Sequence, residues 1–507
     1  MSLIIQSPGD LRKYRHITLT NGLECTLVSD STTDKASAAM QVNVGHMSDD
    51  PRTPGLAHFL EHMLFQGTTT YPGAASYKKF LSDHGGSSNA STGMVTTTYF
   101  FDITHPFLEL AVDRFSKFFI EPLFSQDCTD RELNAVNSEN AKNILNDRRR
   151  LFQLSKHLCD PTHSYHKFGT GNRATLETTP KLNNVDVREL LLQFHAKYYS
   201  ANIMKCCILG KESLDALEAL AISKFTAVPN HNVTIPVFNG SPFRSIDVKQ
   251  RFDVVPIKEV RWIRLDFVLP TQKQNFMQKP YSYISHLIGH EGSGSILAVL
   301  KQLNYANGLS CGLNTNLNEF GIFRISIDCT EQGILHINQM IEIVFTYITM
   351  LQSNQPKEWI YNEKKQMASN AFRFKSKSSA RNSTKSIVSN MNQGWKTENI
   401  LIGNYFCSCE DNFNATLIVE LLQELNINNL RIFVAHRSFQ NRQDGVVNEK
   451  ETWYGCEYSN VKVTDEIWSK WKTPTLEKDH LLKILSMKQV ELLNGILSWN
   501  HLLLHQS

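Results

Sequence analysis

From Leu23 the run Leu-Glu-Cys-Thr-Leu-Val alternates in polarity, and Ala36 to Val44 does so in its second half. A period of two places alternate side chains on opposite faces of a strand, so both segments read as half-buried strands. The cluster from Asp49 to Gly55 is a turn that leads into a helix starting near Thr53, with Pro54 suited to the first helical position. Leu56, Phe59, Leu60, Met63 and Leu64 then recur at three- and four-residue steps, the signature of a helix with a buried face. A second helix is predicted over Ala74 to Asp83, closed by Gly85-Gly86 and followed by a polar segment, Ser87 to Thr92. Thr96 to Ile103 reads as a strand, Pro106 to Ile120 as a helix, and Ser125 through Arg150 as one longer helical stretch.

Between Ala227 and Pro242 helical periodicity gives way to turn residues, which places a boundary near residue 235. Beyond it the style repeats. Val260 to Pro270 and Ile322 to Asp328 read as strands, and Pro280 to Ile288 and Gln332 to Leu351 as helices. The two parts share no visible sequence identity, so a structural repeat is expected from style alone. The fold class is α+β: two similar domains, 1–235 and 236–475, each a mostly antiparallel sheet with helices packed on it. Residues 476–507 form a leucine-rich, divergent tail.

Composition narrows the function classes. With 507 residues, 41% of them hydrophobic, the chain has material for sizeable cores. Fifty-two basic residues against 49 acidic ones leave a net charge of +3, which gives no reason to expect a nucleic-acid partner. Nowhere do about 18 apolar residues run together, so no membrane-spanning helix is expected. The first 15 residues resemble neither a secretory signal nor an Arg-rich presequence, which makes the cytoplasm the expected location, with mitochondrial or peroxisomal pools left open. Ten cysteines lack paired CxxC spacing and read as reduced thiols, with Cys206-Cys207 and Cys407-Ser408-Cys409 as oxidation-sensitive candidates by spacing.

The candidate chemistry sits inside the first helix, in His58-Phe59-Leu60-Glu61-His62. Residues four apart stand one turn above another, so His58 and His62 can converge on one ion. Glu61 projects close to the same face and could take a proton from a water activated by that ion. Catalytic zinc commonly takes three protein ligands. Glu132 and Glu139, seven apart on one face of the helix from Ser125, are both candidates for the third. Against this stands a plain reading of two ordinary histidines beside a glutamate, and of a solvated surface helix.

His58 to Phe65 followed by Gly67, with Arg131 to Glu139 downstream, resembles the inverted-motif zinc peptidases of the insulysin (pitrilysin/insulinase) type. Resemblance extends over Phe168 to Asn172, Ile288 to Ser295, Ala371 to Phe374 and Trp453 to Gly455, thus over roughly residues 3 to 475. It implies one Zn2+ per chain on His58, His62 and Glu139, the last 77 positions beyond His62, with Glu61 as general base. Glu132 is implied as a carboxylate that orients a ligand. Ser88, Asn89 and Ala90 are implied to lie on an edge strand that takes an extended peptide, and Leu309 and Gly312 where the substrate's N-terminus is anchored. The expected activity is zinc-dependent endopeptidase cleavage of short or unfolded peptides with broad specificity. The alternative is an inactive or weakly active peptide-binding half, because family members carry a second half of similar size. Peptide substrates are the expected partners, with a homodimer or a partner half-chain completing the enclosure. Asn140 departs from the histidine usual after the ligand glutamate.

Overall fold

The computed structural model describes residues 4–405, 413–442 and 448–474. The expected tail and the Cys407-Ser408-Cys409 pair lie outside the described residues. The chain forms two compact units. The first comprises Met1–Leu145, Pro161–Phe238 and Met367–Cys407, and the second Asn146–Asp160, Asn239–Gln366 and Ser408–Ser507. The units are therefore interleaved along the chain, unlike a division at one point near 235.

The sheet of the first unit contains β1 (Lys13–Thr18), β2 (Glu24–Ser29), β3 (Lys35–Val42), β4 (Ser87–Thr92), β5 (Thr97–Thr104) and β6 (Met204–Gly210). Their order is β1-β2-β6-β3-β5-β4, antiparallel throughout except for the β2–β6 pair. Helices α1 (Leu56–Leu64), α2 (Ser76–Asp83), α3 (Leu108–Ile120) and α4 (Gln126–Ile144) belong to this unit. On one face of the sheet Ala36, Ala38, Met40, Tyr99 and Phe101 join a core with Leu60 and Met63 of α1, Phe115 of α3 and Val136 of α4. On the other face the helix Ala380–Met391 buries Ile387 and Val388 against Val28, Ala39 and Leu209. That contact is why residues beyond 366 return to the first unit. It also explains the weak polarity pattern of β3, which is buried on both sides: Ser37, on the second face, donates to or accepts from Thr384 at 2.8 Å.

The second sheet contains β7 (Gln250–Val254), β8 (Trp262–Leu269), β9 (Ala306–Asn316), β10 (Gly321–Cys329), β11 (Leu430–Ala435), β12 (Glu449–Lys450) and β13 (Glu457–Val461), in the order β12-β13-β7-β11-β8-β10-β9. Only β7 and β11 run parallel. The five-strand run β7-β11-β8-β10-β9 repeats the order and directions of β2-β6-β3-β5-β4, so the two units share one topology without visible sequence identity.

The long helical stretch predicted from Ser125 through Arg150 is two helices. It breaks at Leu145-Asn146, where the Asn146 side chain accepts from the Arg149 N–H and starts α5 (Asp147–His157), which belongs to the second unit. Gln332 to Leu351 is likewise split into Glu331–Ile334 and Ile337–Gln352, with the His336 ring at the break stacked on Tyr305 at 4.6 Å. The eight described cysteines are free thiols. Cys206 and Cys207 point to opposite faces of β6 into separate cores, and burial raises both thiols well above their ordinary range, so these two are poorly placed to be oxidised. No helix among the described residues is long and apolar enough to cross a membrane.

Candidate metal centre

Helix α1 is held by its apolar residues: Phe59, Leu60, Met63 and Leu64 are buried. Trimming Leu60 to alanine would cost about 2–5 kcal/mol. Its N-terminus is capped from a distance. The buried Asp49 carboxylate accepts from the Gly55 and Ala57 N–H groups at 2.8 Å each. Gly55 has φ +95°, and a Cβ there would fall 2.2 Å from Gly171 Cα, so the tight entry to the helix requires glycine.

The remaining face of α1 meets α4. His58 Nδ1 lies 2.7 Å from the Thr170 carbonyl oxygen and donates to it, which leaves Nε2 for other partners. His62 Nδ1 lies 3.0 Å from Glu132 Oε2. Both Nε2 atoms turn toward one carboxylate oxygen, Glu139 Oε2, at 3.5 Å from His58 and 3.8 Å from His62. The ligand-type atoms of His58, His62 and Glu139 all lie within 4.8 Å of one another. Val136, between the two glutamates on α4, is buried in the core and fixes the roll of that helix.

Glu61 is 7% exposed, and Thr92 Oγ1, at the end of β4, donates to its Oε2 at 2.6 Å. Burial raises the Glu61 carboxyl above its ordinary range, against the pull of His58, Thr92 and His62. For His62, burial acts downward, but Glu132 and Glu139 outweigh it and bring the imidazole to about 9. His58 is raised as well: burial opposes, and Glu139 and Glu61 prevail. The two imidazoles in turn hold Glu139 well below the usual carboxylate range. Three carboxylates thus surround two imidazoles and favour positive charge between them. Two imidazole nitrogens with fixed tautomers and one carboxylate oxygen are the donor set of an open zinc site, so the residues fit that ion.

The remaining expected residues fall on sheet edges. Ser88, Asn89 and Ala90 lie on β4, which among the described residues pairs only with β5 and forms one edge of the first sheet. The residues alone read as a polar loop; the structure makes them a strand. Leu309 and Gly312 lie on β9, an edge of the second sheet. Sequence reasoning missed Asp49, Thr92 and Thr170. Thr170 falls in the Phe168 to Asn172 segment already noted, whereas nothing local marks Thr92 or Asp49.

A His-x-x-Glu-His helix, a glutamate from a later helix and a free strand beside them make up the arrangement of an inverted-motif peptidase. The chain belongs to that class as a member of the insulinase family, peptidase family M16. Residues 25–162 match the insulinase model, 186–368 the "peptidase M16 inactive domain" and 372–483 the middle or third domain of this family. Human insulin-degrading enzyme is 43% identical over 473 residues, which are 93% of this chain and 46% of that protein. The crystal structure of pitrilysin superposes with a TM-score of 0.86 at 28% identity, over 93% of this chain and 49% of pitrilysin. A protease from Helicobacter pylori shares the fold, with a TM-score of 0.61 at 18% identity over 84% of this chain and 100% of that one. The chain spans about half the length of the curated relatives it matches.

Proposed function

We infer that this chain is a zinc-dependent endopeptidase acting on short or unfolded peptides, with one zinc ion per chain. The convergence of both histidine Nε2 atoms on Glu139, beside a Glu61 tied to the free edge strand β4, carries this reading. His58, His62 and Glu139 would hold the ion, and Glu132 would orient His62. Bound zinc supplies Lewis-acid polarisation of the scissile carbonyl and of the attacking water. Glu61 takes the proton released by that water, and its burial makes the carboxylate a better base than an exposed one. Thr92 occupies Oε2 and leaves Oε1 to receive the proton. A peptide laid along β4 as a further strand is held by its main chain, so many sequences are accepted, and the Thr92 end of that strand brings the backbone to Glu61. Ser88, Asn89 and Ala90 are its proposed contacts, with Leu309 and Gly312 on β9 as anchoring contacts. The cytoplasm is the proposed location, in keeping with the free thiols.

The second reading is a metal-binding half that holds peptides but needs a second copy or another half-chain for turnover. Hydrolysis of a quenched fluorescent peptide by the purified chain separates the two. Glu61→Gln is expected to lower the rate by about 10²–10⁴-fold while zinc content stays unchanged. Zinc bound with no Glu61-dependent turnover would favour the second reading.

A further inference from the structure

Arg264 of the second unit has no carboxylate ion-paired to it among the described residues. On β8, Trp262, Arg264 and Asp266 share the face of the sheet opposite Ile263, Leu265 and Phe267, the last of which packs on Phe345 of the helix Ile337–Gln352. Arg324 of β10, in register with Asp266, takes that carboxylate with both prongs of its guanidinium, Nε to Oδ1 and Nη2 to Oδ2 at 2.6 Å each. Both oxygens of Asp266 are thereby taken up by Arg324, which leaves Arg264 only its through-space attraction. Its guanidinium lies 4.9 Å from the Trp262 ring centre, and its Nε is buried with no hydrogen-bond partner among the described residues. Arg148, on the first turn of α5, adds a third positive charge that acts on it. Burial, then Arg324 and Arg148, pull the Arg264 guanidinium down to about 10, with Asp266 acting against them.

A half-buried guanidinium with a buried, unbonded Nε and two other guanidinium groups acting on it is costly unless an anion comes to it. Its direction of access is given by the register: Arg264 pairs with Ser326 of β10, and Ser326 with Ser310 of the edge strand β9. A peptide added along β9 puts every second side chain on this same face. We propose that Arg264, with the Ser326 and Ser310 hydroxyls leading to it from the sheet edge, is a carboxylate subsite that selects peptides carrying an aspartate or glutamate side chain. The inference rests on the peptidase reading and adds to it a preference that main-chain pairing alone cannot provide. The planar fork of an arginine matches the two oxygens of a carboxylate, which a glutamine side chain cannot imitate.

The test is a positional scan. A neutral quenched peptide carries a single Glu at each position in turn, with its Gln isostere as control, and kcat/KM and binding by fluorescence anisotropy are measured for the full chain. At one position the Glu peptide is expected to be favoured about tenfold or more. Arg264→Gln is expected to erase that preference and leave the Gln peptide unaffected, while Arg264→Lys retains part of it. Should Arg264→Gln not fold, as judged by its melting curve, the partial loss in Arg264→Lys carries the test. Equal handling of Glu and Gln at every position, or a preference that survives Arg264→Gln, overturns the subsite while leaving the peptidase reading intact. A chain that neither binds nor cuts any peptide overturns both.

Discussion

The two units place a helix at the same point of the same topology, between β3 and β4 in one and between β8 and β9 in the other. Each helix contributes a histidine with a second one four residues later: His58 and His62 from α1, His286 from Pro280–Ile288 and His290 just past its end. The rings lie 4.9 Å apart in the first pair and 6.4 Å in the second. Their surroundings are opposite. The helix that follows β5 and α3 offers Glu132 and Glu139 to the first pair, whereas in the second unit Lys364, from the part of the corresponding helix Glu358–Arg373 that belongs to it, bears on His286. His62 is raised to about 9, and His286 is lowered to about 4 by burial, then by Lys364 and His290. The position of Glu61 is filled by Gly289, and the intact histidine spacing does not by itself make a metal centre. What distinguishes the first unit is the carboxylates that arrive from a distant helix.

Removing a carboxylate that touches only the far nitrogen of a ligand should have the largest effect: Glu132→Gln is expected to weaken zinc binding about 10–100-fold, measured by competition with a chelating dye, and unchanged affinity would remove Glu132 from the account. Thr92→Val deletes one hydrogen bond to Glu61, worth about 1 kcal/mol, so kcat/KM for a test peptide should fall about fivefold with zinc affinity unaltered. In the second unit, Lys364→Glu should raise the pKa of His286, followed by NMR of its imidazole, and no movement would remove Lys364 from its causes. The last effect concerns pH. The folded pKa of His286 lies below the ordinary 6.5, so the unfolded chain takes up the proton first. Its contribution to stability is flat above pH 6.5 and is lost as pH falls from there toward about 4. His286→Gln should flatten that part of the profile in chemical denaturation.

Much of the fold was legible because single-sided elements announce themselves. Pro280–Ile288 and the strand at Trp262–Leu269 follow from periodicity and turn residues, within about two residues of their observed ends. Elements buried on both faces, such as β3, do not alternate, and the interleaving of the units was hidden because the helix Ala380–Met391 belongs to the first sheet by packing, which no local signal reports. The break at Asn146 was missed because a cap that starts a new helix looks, in sequence, like a polar residue on an existing one. At the candidate metal centre, spacing puts His58, Glu61 and His62 on one helical face, and periodicity leaves Glu132 and Glu139 as alternatives. The resemblance separates them by the 77-residue spacing, and in the structure one meets Nδ1 of a single histidine, the other both Nε2 atoms. Thr92 could not be read at all, since its contact with Glu61 joins residues 31 positions apart.

The measurement that bears most directly on this account is the zinc content of the purified chain and of Glu139→Gln after equilibration with one equivalent of zinc and gel filtration. One zinc per wild-type chain and essentially none in the variant, with His286→Ala retaining its full complement, is the expected result. A wild-type chain without zinc, or a Glu139→Gln variant that keeps it, would contradict the assignment of the metal centre to the first unit's helix pair.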